Sequence, residues 1–161
     1  MCISSEIYLP SPEETRQVGG RLGKQLAESL VKGALTLPFL ITLTGDLGAG
    51  KTSLCQGICE ALGVDPLEVV SPTFTLANEY RGLIEIYHLD IYRLTPDQFY
   101  DAGLGEYLSR PGLSLVEWPE KMPEDFWPDK RLDLVLTFQE EGRLLTAMNK
   151  PGSSVINDMP C

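Results

Sequence analysis

Histidine and positive charge are scarce in this sequence. Its 161 residues hold one His, six Lys and seven Arg against 23 acidic side chains, a formal charge of −10. The single histidine, His88, has no Ser or Cys nucleophile motif beside it, so a hydrolytic triad has no support and a structural role fits better. A pI near 4.5 offers no basic face for tight, nonspecific binding to nucleic acid, though it leaves action on a nucleic acid through a partner open. No apolar run approaches the ~18–20 residues of a transmembrane helix. Met1–Pro10 lacks the basic-then-apolar order of a secretory leader. Cys2, Cys55, Cys59 and Cys161 form neither a disulfide framework nor a plausible zinc set, so reduced thiols and a cytoplasmic protein are expected. The length excludes a TIM barrel or a second catalytic domain. No internal repeat or low-complexity tract is visible.

What the sequence does have is an alternation of helical and strand patterns. Hydrophobic residues make up 43%, enough to build a core. Ser11-Pro12-Glu13-Glu14 opens a helix, with Ser11 as N-cap and Glu14 completing a capping box. Val18, Leu22, Leu26 and Leu30, with Ala27 and Val31, form its apolar stripe. Phe39 to Thr44 reads as a buried strand, and Lys51 to Leu62 as a helix closed by Gly63. Phe74 to Arg81 and Leu83 to Asp90 flank Gly82 as a hairpin. Short helices are expected after Thr95-Pro96 and over Leu104 to Ser109. Leu113 to Glu117 reads as a second buried strand, and Pro119 to Lys130 as an irregular loop. Arg131 to Phe138 alternates as a half-buried strand, with Leu144 to Met148 as a pairing partner. The organisation expected is a single domain over 1–148 and a flexible tail over 149–161. Its fold class is α/β: a mixed sheet with a parallel centre and an antiparallel hairpin, flanked by helices.

Between the first strand and its helix lies Gly45-Asp46-Leu47-Gly48-Ala49-Gly50-Lys51-Thr52, a match to G-x-x-x-x-G-K-[ST]. Its glycines let successive N–H groups converge on phosphate, and the helix that follows aims its positive end there. Lys51 would reach the β/γ-phosphates and Thr52 would present its hydroxyl to Mg²⁺, with Ser53 following in the same first turn. A chance match arises in about 1 in 200 chains of this size, and the strand-before, helix-after context makes chance rarer still. Glu117, ending a strand, is either a Mg²⁺ carboxylate or an ordinary surface acid; beside the phosphate loop the metal role is favoured. Asp90, ending another strand, is a second acidic candidate that could orient the attacking water or assist the metal.

Those segments, with Ser71-Pro72-Thr73-Phe74-Thr75-Leu76, Tyr87-His88-Leu89-Asp90-Ile91-Tyr92-Arg93-Leu94 and Val116-Glu117-Trp118-Pro119, resemble the TsaE family. These are bacterial P-loop ATPases of the pathway making N6-threonylcarbamoyladenosine (t6A) in tRNA. The blocks keep the family's order and spacing, and the resemblance runs from about Ser11 to Arg143. It implies Lys51 as the phosphate-loop lysine and Thr52 and Glu117 as Mg²⁺ ligands. It implies Asp90 as an acid needed for hydrolysis, Thr73 in a switch-like segment near the γ-phosphate, and Trp118 beside the metal. Gly142-Arg143 and the segment from Ser11 to Thr15 resemble parts bordering the base. The chain after Arg143 departs from the pattern.

The resemblance further implies an ATP-hydrolysing component, weak alone, that resets or drives partners of the TsaB and TsaD type. The product would be t6A at position 37 of tRNAs reading codons that begin with adenine, with ATP/ADP and Mg²⁺ as cofactors. Contact with tRNA would be indirect, through the complex, and no membrane would be involved. A small P-loop metabolite kinase is the alternative, but no arginine-rich lid segment is present. A GTP switch is disfavoured because the only Asn-Lys, Asn149-Lys150-Pro151-Gly152, lacks the Asp of the guanine motif. Other residues keep plain readings. Tyr80, Tyr87 and Tyr92 are expected to pack on the sheet. Arg93 either pairs with an acid or meets phosphate, with the first favoured. Ser71-Pro72-Thr73 taken alone is a strand-initiating turn. Glu120, Glu124, Asp125 and Asp129 are a solvated loop.

Overall fold

The computed structural model describes residues 3–149. The expected tail lies outside them, apart from Asn149. Ser11 caps the first helix, α1 (Pro12–Val31), its side chain accepting from the Glu14 N–H at 3.2 Å. Val18, Leu22 and Leu26 face the core, whereas Val31 is 89% exposed and falls off the stripe where the helix ends. Seven strands form one sheet: β1 (Ile3–Leu9), β2 (Phe39–Gly45), β3 (Ala77–Arg81), β4 (Glu85–Asp90), β5 (Leu113–Glu117), β6 (Arg131–Phe138) and β7 (Arg143–Asn149). Their order is β1-β7-β6-β2-β5-β4-β3. The inner four, β6-β2-β5-β4, are mutually parallel, while β3 and the β7–β1 pair add antiparallel edges. The expected mixed sheet with a parallel centre and a β3–β4 hairpin is therefore present. Strand β1 is an addition: nothing in the sequence reading placed an element before Ser11.

Strand β2 shows why the sheet is covered on both faces. Phe39, Ile41 and Leu43 point into the larger core with α1 and α2 (Lys51–Ala61), while Leu40 joins Leu89, Phe99 and Val116 in the smaller one. That smaller core is roofed by α3 (Pro96–Asp101), α4 (Gly105–Ser109) and two single 3₁₀ turns in the loop 119–126. A strand buried on both sides reads as a near-continuous apolar run, as Phe39–Leu43 does. The Phe74–Leu76 part of the expected strand forms a turn instead, with Leu76 at φ 67° and its N–H bonded to the Pro72 carbonyl.

Helices α1 and α2 approach backbone to backbone. A Cβ built on Gly57 would sit 2.0 Å from the Arg16 carbonyl oxygen, and one on Gly19 2.4 Å from that of Leu54. This contact fixes α2, and hence the loop before it, against the rest of the domain. Among the described residues no helix is long and apolar enough to cross a membrane.

Candidate functional site

In a parallel sheet, ligand sites form where strands end at their carboxyl edge, beside the point where chain direction across the sheet reverses. Strand β2 lies between β5 and β6, and its last residue leads into the glycine loop. The ends of β4 and β5 lie alongside, with Asp90 paired to Glu117 and Glu117 paired to Leu43. Three strand ends thus converge on one spot.

The loop has the conformation its glycines permit. Gly48 and Gly50 take φ of 78° and 107°, values costly for a residue with a Cβ. Gly50 caps α2 without a side-chain bond, leaving the first N–H groups of that helix for a ligand. Gly48, Ala49, Gly50, Lys51, Thr52 and Ser53 line a cavity of about 320 Å³, with Leu47 70% exposed at its rim. Its other walls are Thr73 and Ser71, Asp90, Glu117, Trp118, Pro12 and Arg143. Gly45 and Asp46 border an adjoining groove, which shares Trp118 with the cavity. Ser11, Thr15 and Gly142 stand behind the walls. Ser11 caps α1, and Thr15 is fully buried, donating its hydroxyl to the Ser11 carbonyl. Gly142 makes the β6–β7 turn at φ 77°.

Charged groups in the cavity are held rather than free. The Lys51 ammonium bonds to the Gly45 carbonyl and, at 3.3 Å, to that of Asp46, and lies 4.3 Å over the Trp118 ring. Burial lowers its pKa from the usual lysine value, opposed by the charges of Glu117 and Asp90. Asp90 Oδ2 accepts from the Thr73 hydroxyl at 3.1 Å, and Oδ1 from the Tyr92 N–H at 3.1 Å. The Ser71 hydroxyl lies 2.9 Å from that of Thr73. Arg143 reaches across from β7 to donate to the Gly48 carbonyl at 3.0 Å. Glu117, 3% exposed, is bonded through Oε1 to His88 Nε2 at 2.8 Å.

Thr52 and Glu117 supply a hydroxyl and a carboxylate to the same cavity. Such hard oxygen donors suit Mg²⁺, which takes one or two protein oxygens and leaves the rest to water and phosphate. Among the described residues one cluster of three metal-capable side chains occurs, Cys55, His88 and Glu117, with ligand atoms within 4.8 Å of one another. The Cys55 thiol is fully buried, and desolvation holds its pKa well above the ordinary range, which suits a packing role.

Pro12 and Ser71, each inside a segment that the resemblance marks, line the cavity. Tyr92, expected to pack on the sheet, instead stacks at 4.6 Å, tilted, on Trp118. Tyr80 and Tyr87 do pack against the sheet, as expected. His88 is buried, as a structural histidine would be, and its bond to Glu117 joins it to the cavity wall. The period-2 spacing of His88 and Asp90 was the available signal, since it puts both on one face. Arg93 stacks on Phe74 with 5.2 Å to the ring centroid, a contact that neither reading foresaw.

A family model described as "Threonylcarbamoyl adenosine biosynthesis protein TsaE" matches residues 9–145. Proteins named tRNA threonylcarbamoyladenosine biosynthesis protein TsaE are similar over most of the chain. One from a Nostoc species is 41% identical, covering 86% of this chain and 81% of its own. One from Bacillus subtilis is 40% identical, covering 78% and 73%. The crystal structure of Bacillus subtilis YdiB superposes with a TM-score of 0.69 at 30% identity, over 93% of this chain and 88% of that one. The strand–glycine-loop–helix unit, the strand-end acids and these likenesses agree: the chain belongs to the TsaE family of threonylcarbamoyladenosine biosynthesis proteins.

Proposed function

We propose that this chain is the ATP-hydrolysing component of the assembly that forms t6A at position 37 of tRNAs reading codons that begin with adenine. Hydrolysis resets or drives a partner pair of the TsaB and TsaD type, and tRNA is met only through that complex. The observation that carries the reading is the convergence of the glycine loop, Lys51, Thr52, Asp90 and Glu117 on one cavity at the carboxyl edge of the sheet.

The residues divide the work. Loop N–H groups and the start of α2 bind the phosphates of ATP. Lys51 moves from the Gly45 and Asp46 carbonyls to the β/γ-phosphates, where its charge offsets what develops in transfer. Thr52 and Glu117 would hold Mg²⁺, which when bound neutralises phosphate charge. Asp90, oriented by Thr73 and the Tyr92 N–H, positions the attacking water. Pro12 and Arg143 border the base side.

The test is phosphate release from ATP with and without the partner pair, for wild type, Lys51→Ala and Glu117→Ala. The partners should accelerate wild type, and both variants should lose turnover; retained turnover would sink the site assignment. Deleting the gene should remove t6A from tRNA, with no rescue by Lys51→Ala. Unchanged modification in the deletion strain refutes the pathway assignment.

A further inference from the structure

Strands β4 and β5 run parallel, with His88 opposite Leu115 and Asp90 opposite Glu117. Side chains two apart on a strand share a face, and paired residues point the same way. His88, Asp90 and Glu117 therefore project together toward α2. His88 sits one pair deeper than the two acids, with its ring fully buried.

This is a costly residue to place there. On that face its neighbours Ile86 and Leu115 are fully buried and apolar. Nε2 meets Glu117 Oε1 at 2.8 Å. A carboxylate only accepts, so Nε2 carries the proton. Nδ1 is buried and makes no hydrogen bond among the described residues, a loss that an apolar residue in the same position would avoid. What the histidine provides in return is one strong bond, to one oxygen of a carboxylate that lines the cavity.

We propose that His88 is a positioning residue for the metal carboxylate. It pins Glu117 through Oε1 from below, fixes the rotamer of a side chain that would otherwise swing, and leaves Oε2 for a Mg²⁺–nucleotide. The proposal rests on the reading of Glu117 as a magnesium ligand. Partners behind a ligating carboxylate orient it, and their loss commonly weakens metal affinity by about 10–100-fold.

Side-chain reach separates positioning from mere packing. In Gln, the nitrogen follows Cβ–Cγ–Cδ, matching the path Cβ–Cγ–Cδ2–Nε2 in His. In Asn it stops one atom short, at the place of Nδ1. His88→Gln should keep the bond to Glu117, and His88→Asn should lose it despite identical amide chemistry.

The experiment titrates a fluorescent ADP analogue onto the full chain, with Mg²⁺ and with EDTA. The ratio of the two affinities is the magnesium coupling. Wild type and His88→Gln should show similar coupling; His88→Asn and His88→Ala should lose about 10-fold or more, with affinity in EDTA unchanged. Circular dichroism checks that each variant is folded, and the Gln–Asn contrast keeps the test decisive if His88→Ala is not. Glu117→Ala runs alongside. If it abolishes coupling while His88→Asn retains it, the positioning role is overturned and the magnesium reading stands. If Glu117→Ala leaves coupling intact, the magnesium reading itself fails, and the proposal with it.

Discussion

The Lys51 ammonium sits 4.3 Å over the ring of Trp118, a residue held at a left-handed φ of 60° immediately after Glu117. Few residues with a Cβ adopt that conformation. Here it turns the chain sharply at the end of β5 and presents the indole to the glycine loop. Tyr92 backs the indole from the other strand end.

If Lys51 moves to the phosphates as proposed, its ammonium leaves the indole, and Trp118 should report the transfer. The chain has two tryptophans, and Trp127→Phe leaves Trp118 as the sole indole emitter. Addition of Mg²⁺–ATP should then change emission intensity, while Lys51→Ala should start from a different intensity and change little. An unaltered signal on ATP binding, verified by calorimetry, would contradict the transfer of Lys51.

Gly57 should tolerate no side chain. Its virtual Cβ lies 2.0 Å from the Arg16 carbonyl oxygen and 2.8 Å from the Gly20 nitrogen, both backbone atoms of α1. Relief requires moving one helix off the other. Gly57→Ala should lower stability in urea by at least ~1–3 kcal/mol, the usual cost of overpacking. Under the proposed function it should also weaken nucleotide binding, because α2 follows directly on the glycine loop. Wild-type stability would show that the two helices slide freely.

Alkaline pH should destabilise the protein through its buried thiols. Desolvation pushes Cys59 from its ordinary 9.0 up to about 12, and Cys55 and Tyr80 move in the same direction. Between about 9 and 12 the folded Cys59 keeps a proton that the unfolded chain has released. The folded state then binds more protons, so stability falls as pH rises, by up to ~1.4 kcal/mol per pH unit for one such thiol. Urea midpoints across that range should show the decline, and Cys59→Ala should flatten it even though the deletion lowers stability at pH 7. An equal slope in both proteins would rule out this thiol.

The parts of this architecture that were legible in the sequence are those with local signatures. Ser11-Pro12 marks the start of α1, Gly63 the end of α2, and the apolar run Phe39–Leu43 a strand covered on both faces. The loop Gly45–Thr52 declares its chemistry because only glycines take φ values such as those of Gly48 and Gly50 without penalty. Strand β1 was not legible. Ile3, Ser5, Ile7 and Leu9 make a weak alternation, and the strand is specified by pairing with β7, where Ile7 meets Leu145. The bond from His88 to Glu117 was hidden likewise, since it joins residues 29 apart that only sheet register brings together. Long-range pairing of this kind leaves no mark in either segment alone.

Thr73 and Asp90 are coupled by a 3.1 Å hydrogen bond between the turn after Pro72 and the end of β4. If the turn acts by orienting the Asp90 carboxylate, the two residues form one functional unit. Asp90→Asn should cut ATP turnover in the partner complex about 10²–10⁴-fold, the range for a positioned acid–base group, with nucleotide affinity preserved. Thr73→Ala should cut turnover by less, because the Tyr92 N–H still holds Oδ1. In the Asp90→Asn background, Thr73→Ala should then cost almost nothing further, since residues in one network do not add. Turnover in the four proteins decides the matter. Additive losses would mean that Thr73 acts on the nucleotide itself, independently of Asp90, and that the switch-like segment has a second role at the γ-phosphate.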